Sequence, residues 1–407
     1  MQLSIERIEL LLLVAAFVAM AARRLHLPYT AGLVIAGCAM ALLRVTPGLV
    51  LTKHLVFASF LPPLVFEAAF YISWQKLRRE LPIVLVLATL GVCISAALTA
   101  AVMHFAVGWE WAAAMLFGTL IAATDPVSVI AMFKEFGVHS RLRMLLESES
   151  LFNDGTAAVA FMVLLAAFTA GRLPDPSMIA KSAILVIGGG IACGLVVGGG
   201  VLLLAGRTTD HLVEITLTTV AAYGSFLVAE HFGTSGVMAT LTAGLVVGNI
   251  GPLGAISEKG REAVGAFWEY IAFVVNSLVF ILIGMREVQE PFRGAALPVI
   301  VAIGLVIASR AAAIYPICAV FSRSSARIDR RHQHLMLWGG LRGALALALA
   351  LGLPDDIPRS HEIVTVAFAV VAFSVLVQGL TMPVLLRKFG EIPANLQGWG
   401  GDDETRH

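Results

Sequence analysis

Apolar segments long enough to cross a lipid bilayer recur along the whole chain, and this feature limits the fold more than any other. About 20 residues of helix are needed to cross roughly 30 Å of hydrocarbon. Of the 407 residues, 58% are hydrophobic and 14% are charged, which is too little polar surface for a soluble fold. The alternating polarity of transmembrane β-strands is not seen in this sequence. We therefore predict an all-α polytopic membrane protein.

Thirteen spans can be placed on the chain, and the charges between them test that number. The predicted spans are residues 5–22, 28–43, 54–73, 81–107, 111–133, 144–170, 177–205, 211–231, 234–250, 262–285, 294–320, 331–352 and 361–387. Loops after odd-numbered spans, counted with the span ends that adjoin them, hold eighteen of the 28 Lys and Arg residues, whereas the N-terminus and the remaining loops, counted in the same way, hold eight. Positive charge collects on the cytoplasmic side. We therefore expect the N-terminus outside a cell membrane and the C-terminus in the cytoplasm.

The fifth and twelfth spans are each interrupted near the middle. In the fifth, Pro126 disfavours helical geometry at Asp125 and removes a backbone donor. In the twelfth, residues 339–343 read Gly-Gly-Leu-Arg-Gly. The two spans are seven positions apart in the order of spans. Because seven is odd, they cross the membrane in opposite directions. Broken helices paired in this way are typical of an inverted-repeat transporter with its substrate at the breaks.

Asp125, in the broken fifth span, is the first candidate ligand. A charge at that depth usually faces an ion path or a partner. Its carboxylate could also complement the positive N-terminal end of the half-helix that follows, and a capping role is therefore an alternative that is compatible with ion binding. Thr124 beside it offers a hydroxyl and a freed carbonyl oxygen, both of which suit a hard cation.

The sixth span supplies a second group of candidate ligands. Asp154 lies a few residues inside it and shares a helix face with Ser150, four residues earlier. By the same spacing, Glu149 and Asn153 share a neighbouring face. Carboxylate, hydroxyl and carbonyl oxygens suit an alkali cation or a proton, and no His or Cys is present here to favour a transition metal. The sequence therefore predicts a cation and proton site between the fifth and sixth spans.

Two arginines, Arg310 and Arg342, lie well inside predicted spans, away from the span ends, and each needs a buried partner. We predict that Glu149 pairs with Arg342 and that Glu67 pairs with Arg310. A purely structural role for Glu67 and Arg310 is the alternative. Two carboxylates would then stay unpaired at the site.

Competition between ions at these carboxylates would couple their movements. A poorly solvated cavity favours the protonated form of a carboxyl group, so a cation and a proton can displace one another. Exchange is obligatory if the protein opens its site to the other side of the membrane only when one of them is bound.

A cation channel would conduct without coupling, and the opposed broken helices argue against it. Residues 233–236 match the GxSG pattern of rhomboid proteases, but no well-placed histidine follows in a later span.

Small residues are expected to serve packing. The glycine runs at 188–190 and 198–200, with Gly194 between them, predict close contact between helices. The four cysteines lie singly in apolar segments without metal-binding spacing. We expect no cofactor and no nucleic-acid partner.

Four motifs in this order resemble the monovalent cation:proton antiporter-1 family, which includes bacterial and archaeal sodium/proton antiporters and animal sodium/hydrogen exchangers. They are Pro-Pro-Leu-Val-Phe-Glu at 62–67, Ala-Thr-Asp-Pro-Val at 123–127, Glu-Ser-Leu-Phe-Asn-Asp-Gly at 149–155 and Gly-Gly-Leu-Arg-Gly at 339–343. The resemblance implies one antiporter unit over residues 1–390, a homodimer with an elevator-like core. Its core helices would be about 81–170 and 294–387, its dimerisation helices about 5–73 and 177–285, and 391–407 a short cytoplasmic tail.

The resemblance also implies roles for the site residues. Asp154 would be the essential carrier, and Asp125, Thr124 and Ser150 would help to bind Na⁺, with Glu149 and Arg342 close by. Asn153 stands where a sister family often has a second Asp, which fits electroneutral exchange of one Na⁺ or Li⁺ for one H⁺. A K⁺/H⁺ antiporter is the nearest alternative, because selectivity depends on cavity dimensions.

Overall fold

The computed structural model describes residues 5–25, 28–45, 52, 54–125, 127–138, 140–171, 176–288 and 294–391. Within those ranges every regular element is helical. The main helices are α1 (Ile5–Leu25), α2 (Tyr29–Leu42), α3 (Leu55–Tyr71), α4 (Trp74–Val107), α5 (Trp111–Ala122), α6 (Val127–Phe136), α7 (Ser140–Thr169), α8 (Pro176–Ala205), α9 (His211–His231), α10 (Gly236–Ile250), α11 (Glu258–Glu287), α12 (Ala296–Val320), α13 (Arg330–Gly339), α14 (Ala344–Leu351) and α15 (Ser360–Lys388). The predicted tail lies outside the described residues from position 392 onward.

The helix lengths fit a multi-pass membrane protein. Among the described residues, eight helices are long and apolar enough to cross a bilayer, or nine if the bent pair α13 and α14 is one span. Helices α2, α3 and α5 are apolar but shorter. The all-α membrane architecture is therefore confirmed, while the number of thirteen spans stays a prediction.

Polar side chains at the first residues explain where several helices begin. Asp210 accepts a hydrogen bond from the Leu212 N–H at 2.9 Å at the start of α9. Ser257 does the same for the Gly260 N–H at 3.0 Å at the start of α11. Such side chains satisfy backbone donors that the first helical turn leaves free. These local signals set the start of α9 at the first residue of the predicted span 211–231, and the start of α11 four residues before the predicted span 262–285.

Glycines on α8 bring it against α10, as the glycine runs predict. A Cβ atom added to Gly190 would lie 2.5 Å from the Ser235 carbonyl oxygen. One added to Gly194 would overlap the Ala239 carbonyl oxygen. These contacts confirm close packing at the centre of the glycine-rich segment, where small residues let two backbones approach.

Helices α2 and α11 cross through a second pair of glycines. A Cβ on Gly37 would overlap the Ile281 carbonyl oxygen, and one on Gly284 would overlap the Val34 carbonyl oxygen. The obstructing atoms are backbone, so neither helix can yield without moving as a whole. The crossing therefore requires glycine on both sides.

Replacing Gly284 with alanine is expected to destabilise the protein by about 1–3 kcal/mol, the usual cost of overpacking. The measurement is the unfolding temperature in detergent micelles. Gly304→Ala on α12 is the matched control, because a Cβ there meets no described heavy atom within 4 Å. Equal effects of the two substitutions would contradict the tight crossing.

The two interrupted segments lie inside the helical bundle. Helix α5 ends at Ala122 and α6 begins at Val127, while α13 and α14 are separated by four residues and bent by 41°. Nearly all of α14 and most of α5 are buried. Helix α7, which bears the second group of candidate ligands, packs beside them.

Candidate ion-binding site

The two helix breaks are hydrogen-bonded to each other. Residues 123–125 are not helical, and neither are residues 340–343. The Asp125 N–H donates to the Leu341 carbonyl oxygen at 2.8 Å. Buried backbone groups outside a helix need partners, and this bond provides one for each break. It joins two segments that lie more than two hundred residues apart in sequence.

Two glycines allow charged side chains to reach the second break. A Cβ on Gly343 would overlap the Asp125 carboxylate, and one on Gly340 would overlap the Arg310 guanidinium. The second break therefore provides room for one acid from the first break and one base from α12. Gly340 and Gly343 therefore leave the space that these two charged groups occupy, in addition to interrupting the helix.

Asn153 of α7 is the centre of a buried hydrogen-bond network. Its Oδ1 accepts from the Thr124 N–H at 3.2 Å. Its Nδ2 donates to Thr124 Oγ1 at 2.6 Å and to Glu149 Oε1 at 3.0 Å. Ser150 Oγ donates to the Thr124 carbonyl oxygen. The first break is thus held against α7 by its own polar groups.

Arg342 lies at the end of the half-helix α5. Its Nη1 donates to the carbonyl oxygens of Ala122 and Ala123 at 2.7 and 2.8 Å, and the residue is 1% exposed. The carboxyl end of a helix has a partial negative charge and free carbonyl groups. Arg342, which belongs to the second break, supplies a positive charge and a hydrogen-bond donor to this end of α5.

Asp125 lies at the starts of two half-helices. Its Oδ1 accepts from the Val127 N–H, at the first residue of α6, at 3.0 Å. Its carboxylate also interacts with the backbone of Ala344, the first residue of α14. Because helix N-termini are partially positive, the expected capping role of Asp125 is present. The side chain is only partly buried, so it is also accessible to an ion.

The predicted ion pairs are wrong in their partners. Glu149 forms a double contact with Arg310, from Nη2 to Oε2 at 2.9 Å and from Nη1 to Oε1 at 3.3 Å. Arg310 Nε donates to the Met336 carbonyl oxygen at 3.1 Å. The Arg310 nitrogens are therefore occupied without Glu67, which is partly buried on α3. The Glu149–Arg342 and Glu67–Arg310 pairs predicted from sequence are both replaced by Glu149–Arg310.

Asp154 is the acid that the surrounding side chains satisfy least. Its Oδ1 is buried and has no hydrogen-bond partner among the described residues. Its charged neighbours are Asp125, Glu149 and Arg342. A buried oxygen without a partner loses hydration and receives nothing in return. A bound proton or cation would remove that penalty.

The structure thus brings together Thr124, Asp125, Glu149, Ser150, Asn153, Asp154, Arg310 and Arg342, and leaves Glu67 apart from Arg310. Sequence reasoning missed the backbone carbonyls of Leu341 and Met336, because every residue type has one. It also missed Met238, which lies against Gly155. The glycine that follows Asp154 directly was the available signal for a close neighbour there.

Comparison with known proteins decides the family. A family model described as sodium/hydrogen exchanger, transmembrane, matches residues 10–388. The chain belongs to the sodium/hydrogen exchanger family. Membership identifies it as a transporter and not an enzyme.

Relatives and solved structures agree with this membership. The exchanger is 41% identical over 373 residues to the Na⁺/H⁺ antiporter ApNhaP of Aphanothece halophytica, covering 90% of this chain and 70% of the relative. It is 38% identical over 379 residues to the low-affinity Na⁺/H⁺ antiporter NhaS1 of Synechocystis, covering 91% and 72%. The sodium proton antiporter MjNhaP1 of Methanocaldococcus jannaschii has the same fold, with a TM-score of 0.74, 19% identity and coverage of 95% and 96%.

Proposed function

We propose that this protein exchanges Na⁺ or Li⁺ for H⁺, one for one, with the two ions competing for Asp154 and Asp125. Its charge balance is the observation on which this rests. The cluster has three acids, the buried Glu149 and the partly buried Asp125 and Asp154, and two buried bases, Arg310 and Arg342. One net negative charge remains when all are ionised, and a single cation or a single proton cancels it. Uncompensated charge is costly in a membrane interior, so the site favours holding one ion at a time.

The donor atoms suit an alkali cation. Asp125 and Asp154 offer carboxylate oxygens, Ser150 a hydroxyl oxygen, and Thr124 a carbonyl oxygen outside the helical ladder. These are hard oxygen ligands, the class that alkali and alkaline-earth ions prefer. The relatives ApNhaP and NhaS1 are Na⁺/H⁺ antiporters, which supports Na⁺ as the cation.

We place the site in a core of α4–α7 and α12–α15 that moves against a dimerisation unit of α1–α3 and α8–α11. In this proposal the protein is a homodimer in a cell membrane, with its C-terminus in the cytoplasm. Support comes from α8, whose residues Ile184 and Val196 are 71% and 73% exposed. Such a surface needs lipid or a second copy to cover it.

The deciding experiment is proton movement in reconstituted vesicles with an imposed pH gradient. Addition of NaCl or LiCl is expected to collapse the gradient, and valinomycin with K⁺ is expected to leave the rate undiminished because no net charge moves. Collapse with KCl alone would reassign the protein to K⁺/H⁺ exchange. A rate set by the membrane voltage would contradict one-for-one exchange.

A further inference from the structure

Met238 connects the predicted dimerisation unit to the predicted carrier residue. It lies in the first turn of α10 and is 4% exposed. A Cβ added to Gly155 would overlap Met238 Sδ and lie 3.2 Å from its Cγ. One added to Gly190 would lie 3.1 Å from Met238 Cβ. The side chain therefore fills the space between α7 and α8, with its thioether on the backbone of the residue after Asp154.

The backbone of Met238 is attached to the α8 side of this space. Its N–H donates to Ser235 Oγ at 3.2 Å, and the Ser235 N–H donates to the Val186 carbonyl oxygen of α8 at 3.1 Å. Its contact with Gly155 is a van der Waals contact between a flexible thioether and a residue without a side chain. Methionine adapts its shape at low cost, so this contact can persist while α7 shifts relative to α10.

We propose that Met238 seals Asp154 from water at the contact between α7 and α10. This inference rests on the exchange function proposed above. Asp154 as a whole is partly buried, but its Oδ1 is fully buried and has no hydrogen-bond partner among the described side chains and backbone groups. A water file reaching it through this contact would hydrate the carboxylate and pass protons without a cation. The thioether occupies the position where such a file would enter beside Gly155.

The test compares proton leak with cation-driven exchange in vesicles that contain wild type, Met238→Ala or Met238→Leu. In Met238→Ala the leak without any transported cation is expected to rise several-fold, and the number of protons moved per Na⁺ is expected to depart from one. Met238→Leu preserves the volume and is expected to leak as little as wild type. Met285→Ala is the matched control, since Met285 is a 3% exposed methionine on α11.

A rescue experiment keeps the proposal testable if Met238→Ala does not fold. Gly155→Ala is expected to slow exchange strongly, because the new methyl group overlaps Met238 Sδ. Adding Met238→Ala is expected to restore exchange, because the methyl then occupies the vacated volume. Wild-type leak in folded Met238→Ala, or no rescue in the double variant, would overturn the seal. Absence of Na⁺-driven exchange in wild type would instead refute the proposed function. The leak comparison would still test the seal, because the leak is measured without a transported cation.

Discussion

Asp154→Ala is expected to reduce Na⁺-driven proton movement to the rate of protein-free vesicles. The variant removes the one acid of the cluster whose oxygen lacks a hydrogen-bond partner among the described residues. No bond that holds the helices together is lost, so the unfolding temperature is expected to stay the same or rise. Removal of a functional group that the folded protein leaves unsatisfied can stabilise the protein at the expense of its activity.

Two further variants show that the loss is specific to this carboxyl group. Asp154→Asn keeps the volume and removes the titratable proton, and is expected to be as inactive as Asp154→Ala. Asp355→Ala removes an exposed aspartate from the loop before α15 and is expected to transport normally. Full exchange in a folded Asp154→Ala variant would refute the carrier role.

Removing one partner of the Glu149–Arg310 pair is expected to destabilise the protein by about 3–5 kcal/mol, because it leaves an uncompensated buried charge. The two side chains are 5% and 7% exposed and meet through two hydrogen bonds. Arg310→Met or Glu149→Leu should therefore lower the unfolding temperature in micelles strongly. The double variant should recover most of the loss, since an apolar pair of similar volume is often neutral or stabilising.

The same cycle distinguishes the observed pair from the one predicted by sequence. Glu149→Leu combined with Arg342→Met is expected to show much weaker recovery, because Arg342 is bonded to the carbonyls of Ala122 and Ala123. Recovery in the Arg342 combination that equals or exceeds that in the Arg310 combination would contradict the geometry. The cycle measures this coupling as the part of the two single losses that the double variant recovers, and a recovery of several kcal/mol is large enough for thermal unfolding to resolve.

Much of the architecture could be predicted because a bilayer permits few solutions. Backbone groups in hydrocarbon must be bonded within the protein, so long apolar segments indicate helices. The positions where helical geometry stops were also predictable, from Pro126 in the first case and from the glycines at 339–340 in the second. The candidate ligands stood out because carboxylates are rare at such depth.

Partner choice could not be predicted in the same way. Whether Glu149 pairs with Arg310 or Arg342 depends on how α7 and α12 are rotated about their axes and how deep each lies in the membrane. The spacing of residues in the sequence determines neither. The carbonyl groups of Ala122 and Ala123 compete for Arg342, and backbone carbonyls cannot be recognised from the residue types in a sequence. Met238 was missed for a related reason, since a methionine in an apolar helix looks like any other core residue.

The bond between the two breaks makes this site difficult to transplant. The Asp125 N–H is held by Leu341, and the Asp125 carboxylate fits only because position 343 has no side chain. A designer who copied the carboxylates of α5–α7 into another helical bundle would move half of the site. The other half consists of backbone and empty space from a distant part of the chain, so the smallest portable unit is both breaks together with the helix that braces them.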